Sequence, residues 1–471
     1  MKSLCGTWWG ADPSTLLLMY KGIVRSHLDY GSQLMKPCPK QVLAKLDKMQ
    51  YQALRIVTGC MRSTPTNVLL AECAEMALEY RRKWLASKFV LKIIAEQEHP
   101  ISELLLELDS YCQSKRGYWT RREVPYIIEA LEEVDQHANN IHAEKILPCF
   151  EIEHVHQITP IEVANINNDR AQINSNKEFL SIFGPKFEQH TWIFTDGSLD
   201  KNQGNVGLGV FIPSINHKFS ARLPQLTQIC TAEVIAINKA ITICLERNLD
   251  KSVIFSDSKS ALQKISSTEI NKDRDHISLK TKRMLLEAEA NGCEIKLAWI
   301  PGHSNIHGNL VADTLANIGR NSENQVEVEL DKNDVLPTIK QQIQAKWKQE
   351  WKLSTNSRGF SYAQIIKEFP SSPWFTLFPY KDRRHLTTII RMRTGHCLTN
   401  KHLHRIGILT HPYCECGQKK PLSPSLFNLG ASLQSEATFR CVLRLGCCPR
   451  ARKVYPVLCC LLTPFALPLK I

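Results

Sequence analysis

TWIFTDGS, residues 191–198, is a β-type run that ends on an acid followed by glycine, and the rest of the chain is parsed from it. KSVIFSDS (251–258) is a second β-type run ending on an acid, here followed by serine, while CTAEVIAINKA (230–240) and HGNLVADTLA (307–316) are helical in pattern. Each stretch holds one carboxylate: Asp196, Glu233, Asp257 and Asp313. His303 stands in the loop WIPGHSN (299–305), shortly before the last of them. Four acids converging from separate elements cannot all be solvated or paired cheaply, so they call for counter-charge. Hard divalent cations, which take oxygen ligands, are the natural supply. Two such ions about 3.5–4 Å apart make a phosphodiester-cleaving site.

Working outward, the spacing predicts strands at 190–197, 205–213, 217–223, 252–257 and 294–300. Helices are predicted at 228–247, 258–266, 275–291 and 307–319. A three-strand meander followed by alternating helices and strands is an α/β fold with a mixed five-stranded sheet flanked by helices. Helix 228–247 puts Cys230, Val234, Ile237, Ile241, Cys244 and Leu245 on one stripe. Glu233 shares the face of Ile237 and Ala240, so its carboxylate is directed at the sheet.

Residues 188–320 resemble a type I ribonuclease H domain. The matching pieces are T-D-G-S, T-A-E, S-D-S, P-G-H and G-N-x-x-A-D, in that order. The four acids stand 37, 24 and 56 residues apart, with His303 ten before Asp313. The resemblance implies a ribonuclease H-like sheet and hydrolysis of the RNA strand of RNA–DNA hybrids, with two Mg²⁺ ions and Mn²⁺ as a substitute. Asp196 would bridge both ions, Glu233 and Asp257 would ligate one, and Asp313 the other. One ion would lower the pKa of the attacking water while the other stabilises the leaving 3′ oxygen. His303 would move a proton or help product leave. A hybrid exposes 2′-hydroxyls across a wide minor groove, and Ser198, Asn202, Ser258 and Lys259, which flank the carboxylates, are candidate backbone or sugar contacts. The sequence departs from the pattern twice. Leu310 stands where an acid usually follows G-N, and only SSTEINKDR (266–274) occupies the place of a basic hybrid-gripping helix.

Formal charge is +13 over 471 residues, which favours a polyanionic partner. It is distributed as +6 over 1–100, −7 over 101–189, +2 over 190–320 and +12 over 321–471. The expected catalytic domain is almost neutral, so its basic flanks are the expected grip on nucleic acid. Seventeen cysteines without a secretory leader read as reduced thiols of the nucleus or cytosol. The most apolar run, Val454 to Leu469, contains three prolines and is too short to span a bilayer.

Residues 1–100 read as helical, with Gly59 as a C-terminal stop. YKGIVRSHLDYGSQ, LDKMQYQALRIVTG and LEYRRKWLASKFVLKI resemble the segment after the polymerase palm in LINE-type, non-LTR retrotransposon reverse transcriptases. The acidic polymerase box is absent from this chain, so the resemblance admits a reverse transcriptase acting in trans as a partner. Residues 101–187 read as an acidic linker with some helix, and 321–420 as a basic region with interleaved aromatics. Cys414 and Cys416 open a zinc-knuckle-like pattern, but 417–440 contain neither His nor Cys to close it. Residues 421–471 are expected to be an aberrant, disordered tail. The competing functional reading is an inactive nucleic-acid-binding retrotransposon remnant.

Overall fold

The computed structural model describes residues 1–138, 140–143, 158–166, 173, 175–269, 275–378, 382–397 and 400–412. The tail at 421–471, the Cys414–Cys416 pair and part of the loop at 266–274 lie outside the described residues. Two compact units are present. One comprises 1–86, 118–126 and the chain from 342; the other comprises 87–117 and 127–341.

The second unit is built on a sheet of strands β1 (Val163–Ala164), β2 (Thr191–Leu199), β3 (Val206–Ile212), β4 (His217–Leu223), β5 (Lys251–Ser256) and β6 (Glu294–Trp299). The spatial order is β1-β6-β5-β2-β3-β4. β2, β3 and β4 are antiparallel, and β2, β5, β6 and β1 run parallel. The expected five strands are therefore present, and a two-residue sixth from the stretch expected to be linker adds to the β6 edge. Helices α1 (Asn176–Phe183), α2 (Ile229–Glu246), α3 (Lys259–Ser266), α4 (His276–Ala290), α5 (His307–Gly319) and α6 (Lys332–Ser357) complete the elements named below.

Strand period sorts the core into two faces. Ile193, Ile254, Leu297 and Trp299 face α2, α3 and α4. Phe194, Val253, Phe255 and Ala298 face the opposite layer, with Phe179 and Phe183 of α1 and Ala312 of α5. The aromatic residues Phe179, Phe183 and Phe187 thus build core from a stretch expected to be linker. Buried residues surround the first two turns of α2, from Thr231 to Ile237, because the helix lies between the sheet and α4. Leu245, expected on the buried stripe, is 37 % exposed where the helix emerges.

α5 lies unusually close to β3, and two glycines allow it. A Cβ on Gly209 would stand 2.3 Å from the Ala312 carbonyl oxygen, and one on Gly207 2.3 Å from that of Ala316. Only a strand without side chains there admits the helix backbone at that distance.

In the first unit, helices Pro13–Met19, Lys40–Thr58 and Thr66–Glu72 pack with Arg383–Arg393. Gly59 ends Lys40–Thr58 in the left-handed conformation (φ +65°), as its position in the sequence predicts. The Arg383 guanidinium donates to the carbonyls of Gly6, Ile56 and Val57, and Arg393 pairs with the buried Glu72 at 2.9 Å. Two arginines of the basic flank are therefore structural. Among the described residues no helix is long and apolar enough to cross a membrane.

Candidate active site

The parallel register sets Thr195 beside Ser256, so Asp196 and Asp257 follow where the β2–β5 pairing ends, with Asp196 still paired to Gly209 of β3. Asp196 shares strand parity with Phe194 and so faces the α5 layer, which carries Asp313. Gly197 has the opposite parity. A Cβ there would come within 2.9 Å of the Glu233 backbone nitrogen, so the glycine of T-D-G-S lets α2 bring Glu233 against β2. Carboxyl oxygens of Asp196, Glu233 and Asp257 all lie within 4.8 Å of one another. Asp313 is exposed on α5 and approaches Asp196 from the other side.

The electrostatics show the cost. Burial, then the charges of Asp257 and Asp313, push Asp196 up to about 8. Glu233 is raised well above the usual carboxylate range, first by burial and then by Asp196 and Asp257. Asp257 is raised by burial, against which a hydrogen bond from Asn309 and the charge of His303 pull it down. Among the described residues no lysine or arginine pairs with any of the four, and Glu233 Oε2 is buried without a hydrogen-bond partner. An oxygen-only cluster with an orphaned buried oxygen fits hard divalent cation.

The flanking residues divide by what they touch. The Ser198 hydroxyl donates to Asn317 Oδ1 at 2.7 Å, and Asn317 Nδ2 donates to Asp313 Oδ1 at 3.0 Å, so this serine orients a carboxylate. Asn202 lies exposed in the β2–β3 turn, where Asp200 Oδ1 accepts from its backbone N–H. Ser258 caps α3 through the Ala261 N–H. Lys259 Nζ lies 5.6 Å from the centre of the Trp299 ring, and the indole N–H donates to the Asp257 carbonyl. His303 is exposed in the left-handed conformation (φ +58°), next to Gly302, where a Cβ would stand 3.1 Å from Asp257 Oδ2. Leu310 is 46 % exposed, one turn before Asp313 on α5.

Sequence reasoning assigned no role to Asn309 or Asn317. Asn317 lies four residues from Asp313, a spacing at which helix side chains meet. Asn309 sits inside G-N-x-x-A-D, and its amide donates to Asp257 Oδ2 at 3.2 Å.

The sheet order is that of an RNase H-like fold, and residues 188–321 match the RNase H family. Ribonuclease H1 of Rattus norvegicus is 31 % identical over 142 residues, covering 27 % of this chain and 49 % of the rat protein. The Mus musculus enzyme is 30 % identical with the same coverage. The chain thus spans about half the length of these relatives. Among solved structures, RNase H1 of the archaeon Halobacterium salinarum is 16 % identical, covering 28 % of this chain and 96 % of its own, with a TM-score of 0.24. LC11-RNase H1, solved in complex with RNA/DNA hybrid, is 23 % identical, covering 27 % and 94 %, with a TM-score of 0.23.

Proposed function

We propose that this protein is a divalent-metal-dependent endoribonuclease that hydrolyses the RNA strand of RNA–DNA hybrids. One observation carries the reading: two buried carboxylates and a half-buried third, with a fourth beside them, converge without a lysine or arginine partner among the described residues. Asp196, Glu233, Asp257 and Asp313 would hold two Mg²⁺, or Mn²⁺ in their place. Bound there, the metal supplies an activated water and charge neutralisation at the leaving 3′ oxygen. The chain's own residues do the positioning. Asn309 holds Asp257, Asn317 holds Asp313, and Gly197 sets the depth of Glu233. His303, exposed beside Gly302, would move a proton. Ser258, Lys259 and Asn202, near the carboxylates in sequence, are candidate sugar-phosphate contacts. The N-terminal words that resemble the post-palm segment support descent from a retrotransposon polyprotein, with a reverse transcriptase supplied in trans as partner.

The test is cleavage of a labelled hybrid by the full chain in Mg²⁺, beside Asp196→Asn. Cutting of the RNA strand that the variant loses supports the reading. Binding of hybrid with no cutting above the variant would leave the protein an inactive nucleic-acid-binding remnant.

A further inference from the structure

Helix α2, which carries Glu233, begins without a cap of its own. Gln228 occupies the N-cap position and its side chain makes no capping bond. In a capping box the acid at the third helical position reaches back to the N-cap N–H. Here that position is Thr231, whose hydroxyl cannot do so as an acid would. The acid comes instead from Asp334 in the first turn of α6, beyond the stretch that matches the RNase H family. Asp334 Oδ1 accepts from the Gln228 N–H at 3.1 Å and from the Thr231 hydroxyl at 2.7 Å. The Gln228 side-chain amide donates to the Asp334 carbonyl at 3.1 Å. Asp334 is 2 % exposed, and its second oxygen accepts from the Asp331 N–H at 3.3 Å.

The segment leading to Asp334 is fixed along its length. Arg222 of β4 donates its N–H to the Asn324 carbonyl and accepts from the Val326 N–H. Val326 and Val328 pack on the core, and Leu330 exchanges backbone bonds with Asn140 and His142. Asp334 is thus delivered by a strap that crosses the unit and ends on the helix start. A negative group at a helix N-terminus is favourable, and a cap stabilises the first turn. Glu233 lies five residues past Gln228, in a turn held from the sheet side by its close approach to Gly197.

We infer that Asp334 is a positioning residue for the metal site: by capping α2 from the downstream strap, it fixes where Glu233 presents its carboxylate. The inference rests on the proposed metal-dependent function, but it can fail separately.

The experiment uses the full chain, Mn²⁺ titrated calorimetrically, and amide exchange over residues 229–234. Asp334→Ala is expected to weaken Mn²⁺ binding about tenfold, the low end for residues that support metal ligands, and to raise exchange at those amides. Asp334→Asn keeps an acceptor oxygen and is expected to restore binding to within about threefold on the same reasoning. Leu262→Ala, in the core under α3, lowers stability without touching α2's cap and is expected to bind Mn²⁺ as the wild type does. Unchanged Mn²⁺ binding in Asp334→Ala, or equal weakening in Leu262→Ala, would overturn the inference even if the wild type cuts hybrid. A wild type that binds Mn²⁺ in an Asp334-dependent way but cuts nothing would remove the hydrolase reading and leave the inference standing. No Mn²⁺ binding by the wild type would remove both.

Discussion

Asn309 Nδ2 lies 3.2 Å from Asp257 Oδ2 and donates to it, while Asn309 Oδ1 is buried with no partner. A neutral amide therefore holds one carboxylate of the cluster at a fixed angle without adding charge. Asn309→Ala should lower hybrid cleavage about 10–100-fold and raise the Mg²⁺ concentration needed for half-maximal rate, the usual effect of removing a support of a metal ligand. Asn309→Asp should be worse in metal-free protein, since it adds a further acid to a site already raised by burial and mutual repulsion. Rates across a Mg²⁺ series check the first and urea midpoints in EDTA the second, and an Asn309→Ala variant with wild-type metal dependence would refute the assignment.

The same repulsion gives the metal-free protein a pH signature. Asp196 ionises near 3.8 when unfolded but only at about 8 in the folded chain. Between those values the folded state binds more protons than the unfolded one, so stability falls as pH rises through that window. Glu233 and Asp257 are shifted in the same direction. In EDTA the urea midpoint should therefore drop steadily from pH 5 to pH 8, on the order of the shifts cited, and Asp196→Asn should flatten the slope. Mg²⁺ should restore stability most at the alkaline end, where the carboxylates release their protons most readily. A midpoint that climbs with pH in EDTA would contradict the electrostatics described here.

The strands β2 to β6 and the helices α2 to α5 were legible to within a residue or two, because their stretches carry period 2 or 3.6. The four carboxylates were legible because each stands in a distinct local context. Close approaches were not. That Gly197 sets the depth of Glu233, or that Gly207 and Gly209 admit α5, depends on contacts between elements far apart in sequence. Phe179, Phe183 and Phe187 form a helical stripe, but the acidic composition around them suggested linker. Asp334 lies beyond the motif run, and nothing near it in the sequence points to Gln228. The basic flank was legible as a net charge but not in its distribution: charge counts do not distinguish Arg393, buried on Glu72, from an exposed lysine.

Gly209→Ala tests how finely α5 is set. The added methyl would meet the Ala312 carbonyl at 2.3 Å and the Ala316 nitrogen at 2.6 Å, both backbone atoms that cannot rotate away. Overpacking of this kind costs about 1–3 kcal/mol. Because relief requires α5 to move, Asp313 should move with it, and cleavage should fall more than stability alone explains. Thermal melts paired with rates at a temperature where the variant stays folded separate the two. Full activity in a folded Gly209→Ala protein would mean that the helix can shift without displacing the carboxylate.

The remaining prediction concerns what grips the hybrid. The flank from 321 onward holds a net +12, yet Arg383 and Arg393 are committed inside their unit. Cutting the chain after 320 would also remove Asp334, so loss of function in such a fragment would say nothing about charge. Point changes on exposed cations avoid both difficulties. Lys348, Lys352 and Arg358 are exposed near the end of α6. Each phosphate contact adds about −0.9 to the slope of log K against log salt on a B-form duplex, and a hybrid should be of the same order. Changing all three to Gln should weaken hybrid binding at low salt and flatten that slope by about 1–3 units, leaving the Mg²⁺ requirement unchanged. Arg393→Gln should instead lower the stability of its unit, since Glu72 is left buried without its partner. An unaltered salt slope in the triple variant would mean that these cations face solvent only and that affinity is set elsewhere.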